Sequence, residues 1–203
     1  MRRDQEGRKV RRVRYRLDLK GIKELSFEDI KAILRGADPL ISRGGRGLLA
    51  KLLKGSKDKR VIELNLDGNP VYGHFKDLTI EQITARIDWC IVESYLAIEY
   101  DYRLPLLMYT SRGWEIEMDT YTDELLRGFD KMTKAGTEDF DMSHLKDRNR
   151  EMIMLLLDKV EATGNPKYIP VLEAWKHVDY RKVRARISQA IEVLRREVPE
   201  TGR

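Results

Sequence analysis

Between Gly44 and Gly113 the apolar pattern changes period, and that change limits the folds open to the chain. Leu48, Leu49, Leu52 and Leu53 fall on one helical face, and Ile80, Ile83, Ile87, Cys90 and Ile91 repeat at helical spacing. Thr79 with Gln82 forms a capping box that opens the second of these helices. Two short apolar segments follow, Tyr95 to Tyr100 and Leu106 to Thr110, joined by Asp101 to Pro105. They are too short for helices and close enough to pair as a hairpin.

Helix, helix and β-hairpin in that order outline a winged helix. Upstream, Ser26 reads as an N-cap for a short helix that ends near Gly36, Asp38-Pro39 as a turn, and Gly44, Gly45 and Gly47 as a loosened approach to the next helix. Gly55-Ser56 stops that helix, Arg60 to Leu66 forms a further short one, and a helix resumes at Trp114, carrying Leu125, Leu126 and Phe129. Three more helices follow: Ser143 to Ala162, one opened by Asn165-Pro166, and one capped by Asp179 with Val183, Ile187, Ala190, Ile191 and Leu194 as its apolar face. The expected fold is mostly α with a small β wing: a basic arm at 1–25, a winged helix at 26–133, a linker at 134–142 and a helical domain at 143–203.

Charge is distributed unevenly along the 203 residues, whose formal net charge is +5. Residues 1–16 carry eight Arg or Lys against Asp4 and Glu6, a net of +6. Residues 43–60 carry Arg43, Arg46, Lys51, Lys54, Lys57, Lys59 and Arg60 against Asp58, again +6, so the rest of the chain stands at −7. Two basic blocks on an acidic body suggest a polyanion-binding surface, with nucleic acid the leading candidate. The competing reading is a disordered tail plus one solvated helix face. With no apolar run of membrane-spanning length, no secretory signal behind the basic N-terminus, a single cysteine and three scattered histidines, the expectation is a soluble, cytoplasmic protein without a structural zinc site, a cofactor or a membrane partner.

A conventional winged helix inserts its second helix into the major groove. Here that helix carries Glu81, Asp88 and Glu93 against Arg86 alone, and a duplex presents one negative charge per ~1.7 Å of axis, so insertion is unfavourable. The cations near 43–60 are better placed to meet phosphates, which position a duplex without reading its sequence. Gly44-Gly45-x-Gly47 between Arg43 and Arg46 is either a phosphate cradle or a flexible turn.

Leu53-Lys54-Gly55-Ser56-Lys57-Asp58-Lys59-Arg60, Tyr72-Gly73, the apolar helix running into Tyr95-Leu96, and the closing Thr110-Ser111-Arg112-Gly113 together resemble the RQC winged-helix domain of RecQ-family DNA helicases. The whole chain is similar to a stand-alone minor branch of that family, and residues 164–197 resemble one HEAT-type helical pair. The resemblance implies phosphate contacts from Lys54, Ser56, Lys57 and Arg60, and a wing that abuts the duplex end and helps part the strands. Tyr102, Arg103 and Leu104 are the candidates for its tip. Neither the four-cysteine zinc module common in RecQ proteins nor a Gly-x-x-x-x-Gly-Lys-Ser/Thr nucleotide loop occurs in the sequence.

The expectation is therefore a non-enzymatic DNA-binding protein with no catalytic residues. It would act on double-stranded or forked DNA beside a helicase or repair enzyme, engaged through the C-terminal helices. The alternatives are a dimeric winged-helix transcription regulator and an adaptor whose basic blocks meet acidic protein or RNA. Glu138, Asp139, Asp141 and His144 could hold a divalent ion, but Asp141 or Ser143 reads more simply as an N-cap. Cys90, within an apolar stripe, reads as core rather than as a reactive thiol.

Overall fold

Ser26 accepts the Asp29 amide and opens α1 (Phe27–Ala37), the first helix of a computed structural model that describes residues 12–135 and 140–196. The elements after it are α2 (Arg46–Lys54), α3 (Lys59–Glu63), α4 (Ile80–Val92), β1 (Leu96–Asp101), β2 (Leu104–Tyr109), α5 (Ser111–Ala135), α6 (Arg150–Ala162), α7 (Ile169–Val178) and α8 (Arg181–Arg196). The chain packs as two compact units, Met1–Glu117 and Met118–Arg203, so the division falls inside α5, upstream of the linker expected at 134–142. Residues 1–11 of the basic arm and 136–139 of that linker lie outside the described residues. Among the described residues no helix is long and apolar enough to cross a membrane.

The core of the first unit joins Ile33 and Leu34 of α1, Leu49, Leu52 and Leu53 of α2, Ile83, Ile87 and Cys90 of α4, and Leu96 and Leu107 of the hairpin. Thr79 and Gln82 make both bonds of the expected capping box. Cys90 is fully buried, and burial pushes its thiol up to about 12, so it is core. The short helix after Gly55 starts at Lys59, because Asp58 caps it, and ends at Glu63, before a 3-10 turn at Leu66–Gly68.

The hairpin differs from expectation in its turn. Residues 101–105 do not form one loop: β2 begins at Leu104, and Asp101 pairs with Leu104 across a two-residue turn. Pro105 lies inside β2. Leu107 bonds away from β1, its N–H donating to Gly44 O at 2.9 Å and its O accepting from Ser42 N at 3.0 Å. Alternation along the strand turns Pro105 the same way, so the missing N–H costs the β1–β2 ladder nothing.

Helix α5 starts at Ser111, three residues before the expected Trp114, because Thr110 caps it: Thr110 Oγ1 accepts the Gly113 amide at 3.1 Å and donates to Ser94 O at 2.7 Å. Gly113 passes so near the end of α4 that a Cβ there would stand 1.9 Å from Tyr95 O. Arg112 lies over the Tyr95 ring at 3.9 Å and donates to Glu93 O. The Thr-Ser-Arg-Gly run is thus a joint between the wing and α5.

In the second unit Phe129, Leu156, Trp175, Ile187 and Leu194 are central to one core, and α8 packs against both α6 and α7. The expected helix from Ser143 to Ala162 is divided into a 3-10 turn at Ser143–Leu145 and α6, because the Asn149 side chain accepts the Glu151 and Met152 amides. Likewise Asn165-Pro166 opens a 3-10 turn, Pro166–Tyr168, before α7. Asp179 does not cap the first turn of α8: it is buried between α7 and α8, accepting Trp175 Nε1–H at 2.7 Å and the Tyr180 amide at 2.6 Å.

Candidate nucleic-acid interface

Helix α2 ends in a two-bond closure that fixes the loop after it. Gly55 takes φ +74°, its N–H bonds Leu52 O at 2.9 Å, and the Ser56 N–H bonds Lys51 O at 3.0 Å. The Tyr72-Gly73 segment buttresses the same turn: Tyr72 O–H donates to Ser56 O at 3.1 Å and the Gly73 N–H to Leu52 O at 3.1 Å. Gly55 is required by this approach, since a Cβ there would lie 3.0 Å from Gly73 Cα, and Gly73 by its own φ of +73°. Asp58 then accepts the Arg60 amide and the Lys51 ammonium, and those bonds, Lys51 first, hold its carboxyl below the usual aspartate value.

On this fixed backbone the cations divide into two groups. Lys57 and Arg60 are exposed and form no ion pair with a described residue; Lys59 reaches Glu63 only at 3.5 Å with both side chains largely in solvent. Lys54 is half-buried and donates to Lys76 O, and half-buried Ser56 accepts the Asp58 amide. Arg43 is exposed, also without an ion pair to a described residue. Arg46 is not a surface cation: it pairs with the buried carboxylate of Asp88, donates to Arg16 O and lies 5.4 Å over the Tyr15 ring.

That pair also changes the charge of α4. Asp88 is 1% exposed and neutralised from within, so it contributes nothing to the outer face. Arg86 is half-buried over the Phe75 ring, which leaves Glu81 and Glu93 as the exposed charges of the helix end to end. The helix still offers no cationic reading face. Gly44 and Gly45 serve packing: a Cβ on Gly45 would stand 2.9 Å from Pro105 O, and Gly44 is buried against Leu40.

At the wing tip Tyr102 is 70% exposed and Leu104 57%, with Arg103 in solvent between them. Tyr102 holds φ +52° in a turn without glycine. Residues 12–25 of the basic arm form no strand and are tied to the wing and to α4. The Val13 N–H donates to Arg103 O at 3.1 Å, and Tyr100 O–H donates to Val13 O at 2.7 Å. Arg12 lies 4.9 Å over the Tyr100 ring, the Asp18 N–H donates to Asp88, and Trp89 Nε1–H donates to Lys23 O. Of the apolar residues alternating with arginines here, Tyr15 lies 6.0 Å from the Tyr100 ring and Val13 keeps half of its surface in solvent. A cavity of about 470 Å³ remains between arm, wing and the start of α2, with Arg14 and Arg16 at its wall.

The two ends of α2 relate anchor and wing. Its N-terminus is held to β2 at Leu107, and its C-terminus carries the Lys54–Arg60 loop. A helix of this length separates them by about 13 Å. Among the described residues no group of three or more His, Cys, Asp or Glu gathers as a metal site; Glu138 and Asp139 lie outside them, and Asp141 accepts the Ser143 amide in a local turn, while the N-cap of the 3-10 turn is Met142 rather than the expected Asp141 or Ser143.

A hairpin closing a helical core, with cations on the loop rather than on the second helix, defines a winged-helix domain of the DNA-binding class. The family model of the RQC domain matches residues 26–122, and the first unit therefore carries an RQC domain, which binds DNA and is not itself catalytic. No curated protein and no solved structure matches the chain.

Proposed function

We propose that this protein binds duplex ends, forks or junctions of DNA, gripping phosphates with Lys54, Ser56, Lys57, Lys59 and Arg60, with Arg43 nearby, and meeting the terminal base pair with Tyr102, Arg103 and Leu104. It performs no catalysis of its own. It acts in the cytoplasm beside a separate helicase or repair enzyme, engaged through its HEAT-like C-terminal helices. The single observation that carries the reading is the pairing of a hydrogen-bonded loop, whose Lys57 and Arg60 form no ion pair with a described residue, with an exposed aromatic and aliphatic at a hairpin tip. Phosphate contacts supply affinity at any sequence, and an exposed terminal base pair gives the tip an apolar partner.

A panel of forked, blunt, single-stranded and RNA ligands at several salt concentrations tests this. Replacing Lys54, Lys57 and Arg60 with Gln should weaken duplex binding irrespective of sequence and lower the salt slope by about 0.9 per lost contact. Replacing Tyr102 and Leu104 with Ser should spare internal duplex and remove the preference for forks. Equal losses on forks and internal duplex would show that the tip is no pin. A palindromic preference with a dimer in solution would instead make the protein a site-specific regulator.

A further inference from the structure

Four cations of the second unit are held in ion pairs. Lys159 is held by Asp119 and Asp123, Lys167 by Asp130, Arg186 by Asp158 and Glu161, and Arg195 by Glu173. Among the cations that form no ion pair with a described residue, four gather in one groove. Lys146 and Arg150, before and at the start of α6, face Arg181 and Lys182 at the start of α8 across a cavity of about 610 Å³. All four are exposed, and none forms an ion pair with a described residue.

Two features argue against a merely solvated patch. The first turn of α8 contains no acidic residue, although Arg181 and Lys182 sit there. Cations are disfavoured at a helix N-terminus by the macrodipole, so folding alone gives no reason for this placement. The second feature is Tyr180, at the wall of the same groove and 57% exposed. Its backbone is fixed by the bond to Asp179, which is itself buried and tied to Trp175. Its hydroxyl donates to Asp147 at 3.3 Å, and the Lys146 ammonium stands 5.2 Å from the ring centroid. An exposed aromatic ring fixed at its backbone, with Lys146 beside it and Arg150, Arg181 and Lys182 lining the same groove, suits a base with its phosphates. An acidic peptide would use the cations and leave the ring idle.

We propose that this groove is a second nucleic-acid site, which holds single-stranded chain by its phosphates on Lys146, Arg150, Arg181 and Lys182 and stacks one base on Tyr180. It lies wholly in the second unit, outside residues 26–122 matched by the RQC model, and does not depend on the wing reading.

The test uses the full chain and a fluorescent oligo(dT) carrying one 5-iododeoxyuridine. Irradiation should crosslink the probe to Tyr180, identified by peptide mass spectrometry. Tyr180→Ala should abolish that crosslink and weaken the site by roughly 5- to 150-fold, the loss of one base stack. Tyr180→Phe keeps the ring and should retain both, which separates stacking from the Asp147 bond. The triple change Arg150→Gln, Arg181→Gln and Lys182→Gln should lower the oligo(dT) salt slope by about 2. Crosslinks confined to the first unit, or an unchanged salt slope in the triple variant, would overturn the proposal. A glutamate-rich peptide that binds the groove while oligo(dT) fails to displace it would also overturn it, assigning the groove to an acidic protein.

Discussion

Arg46 is where surface charge and core structure make opposite predictions. As a phosphate ligand it would contribute to DNA affinity; as the partner of Asp88 it contributes to stability. Asp88 is 1% exposed and the Arg46 side chain 18%, so Arg46→Met leaves a buried carboxylate with the Asp18 amide as its remaining partner among the described residues. Removing one member of a buried pair costs roughly 3–5 kcal/mol, and the residual amide bond and partial exposure of Arg46 put this case near 3 kcal/mol. For a unit of this size that lowers the midpoint of its thermal transition by roughly 10–20 °C. Calorimetry of the full chain would read the shift, and a double variant, Arg46→Met with Asp88→Leu, should recover most of it because no charge is left buried. The salt dependence of duplex binding should be unchanged under conditions where the single variant is folded. An unchanged midpoint with a salt slope lowered by about 1 would refute this account and restore Arg46 to the DNA surface.

Other expectations follow from the same packing. Gly113→Ala places a methyl against Tyr95 O, a backbone atom that cannot swing away, and should lower stability by about 3 kcal/mol in urea titration. Cys90, buried and pushed up to about 12, should resist a thiol reagent at pH 8 in the native state and react on unfolding in urea. Asp58 has its carboxyl lowered in the folded state by Lys51 and the Arg60 amide, so its stabilising effect is present above the unfolded value of 3.8 and is lost as pH falls through the folded value. The stability gap between wild type and Asp58→Ala, measured by urea titration, should therefore be full at pH 7 and shrink on acidification below that range.

What the sequence made legible was local. Ser26, the Thr79 and Gln82 box and the apolar stripe holding Cys90 act within one helical turn or along one face, and each took the expected role. The stop of α2 at Gly55 and the cations after it were visible because they are neighbours in the chain, whereas the Asp58 cap that starts α3 was not read. The pairing of Arg46 with Asp88 was hidden because the partner is 42 residues away, and no periodicity reports such a pairing. The start of α5 was hidden for a related reason: Thr110 reads as the end of a strand until its hydroxyl is seen to bridge Ser94 O and the Gly113 amide. The groove around Tyr180 unites segments from 146–150 and 179–183 that only the packing of α8 on α6 brings together.

The contact of residues 42–44 with β2 has a consequence for how the protein behaves when concentrated. A two-stranded ribbon has open edges, and an open edge can recruit a strand from another molecule and seed aggregates. On the outer edge of β2, Pro105 has no N–H to offer, and Leu107 has both backbone groups engaged by Ser42 and Gly44. A foreign strand docking there would find one position without a donor and the next already occupied. The wing can thus present an apolar tip to solvent while this edge remains closed to self-association.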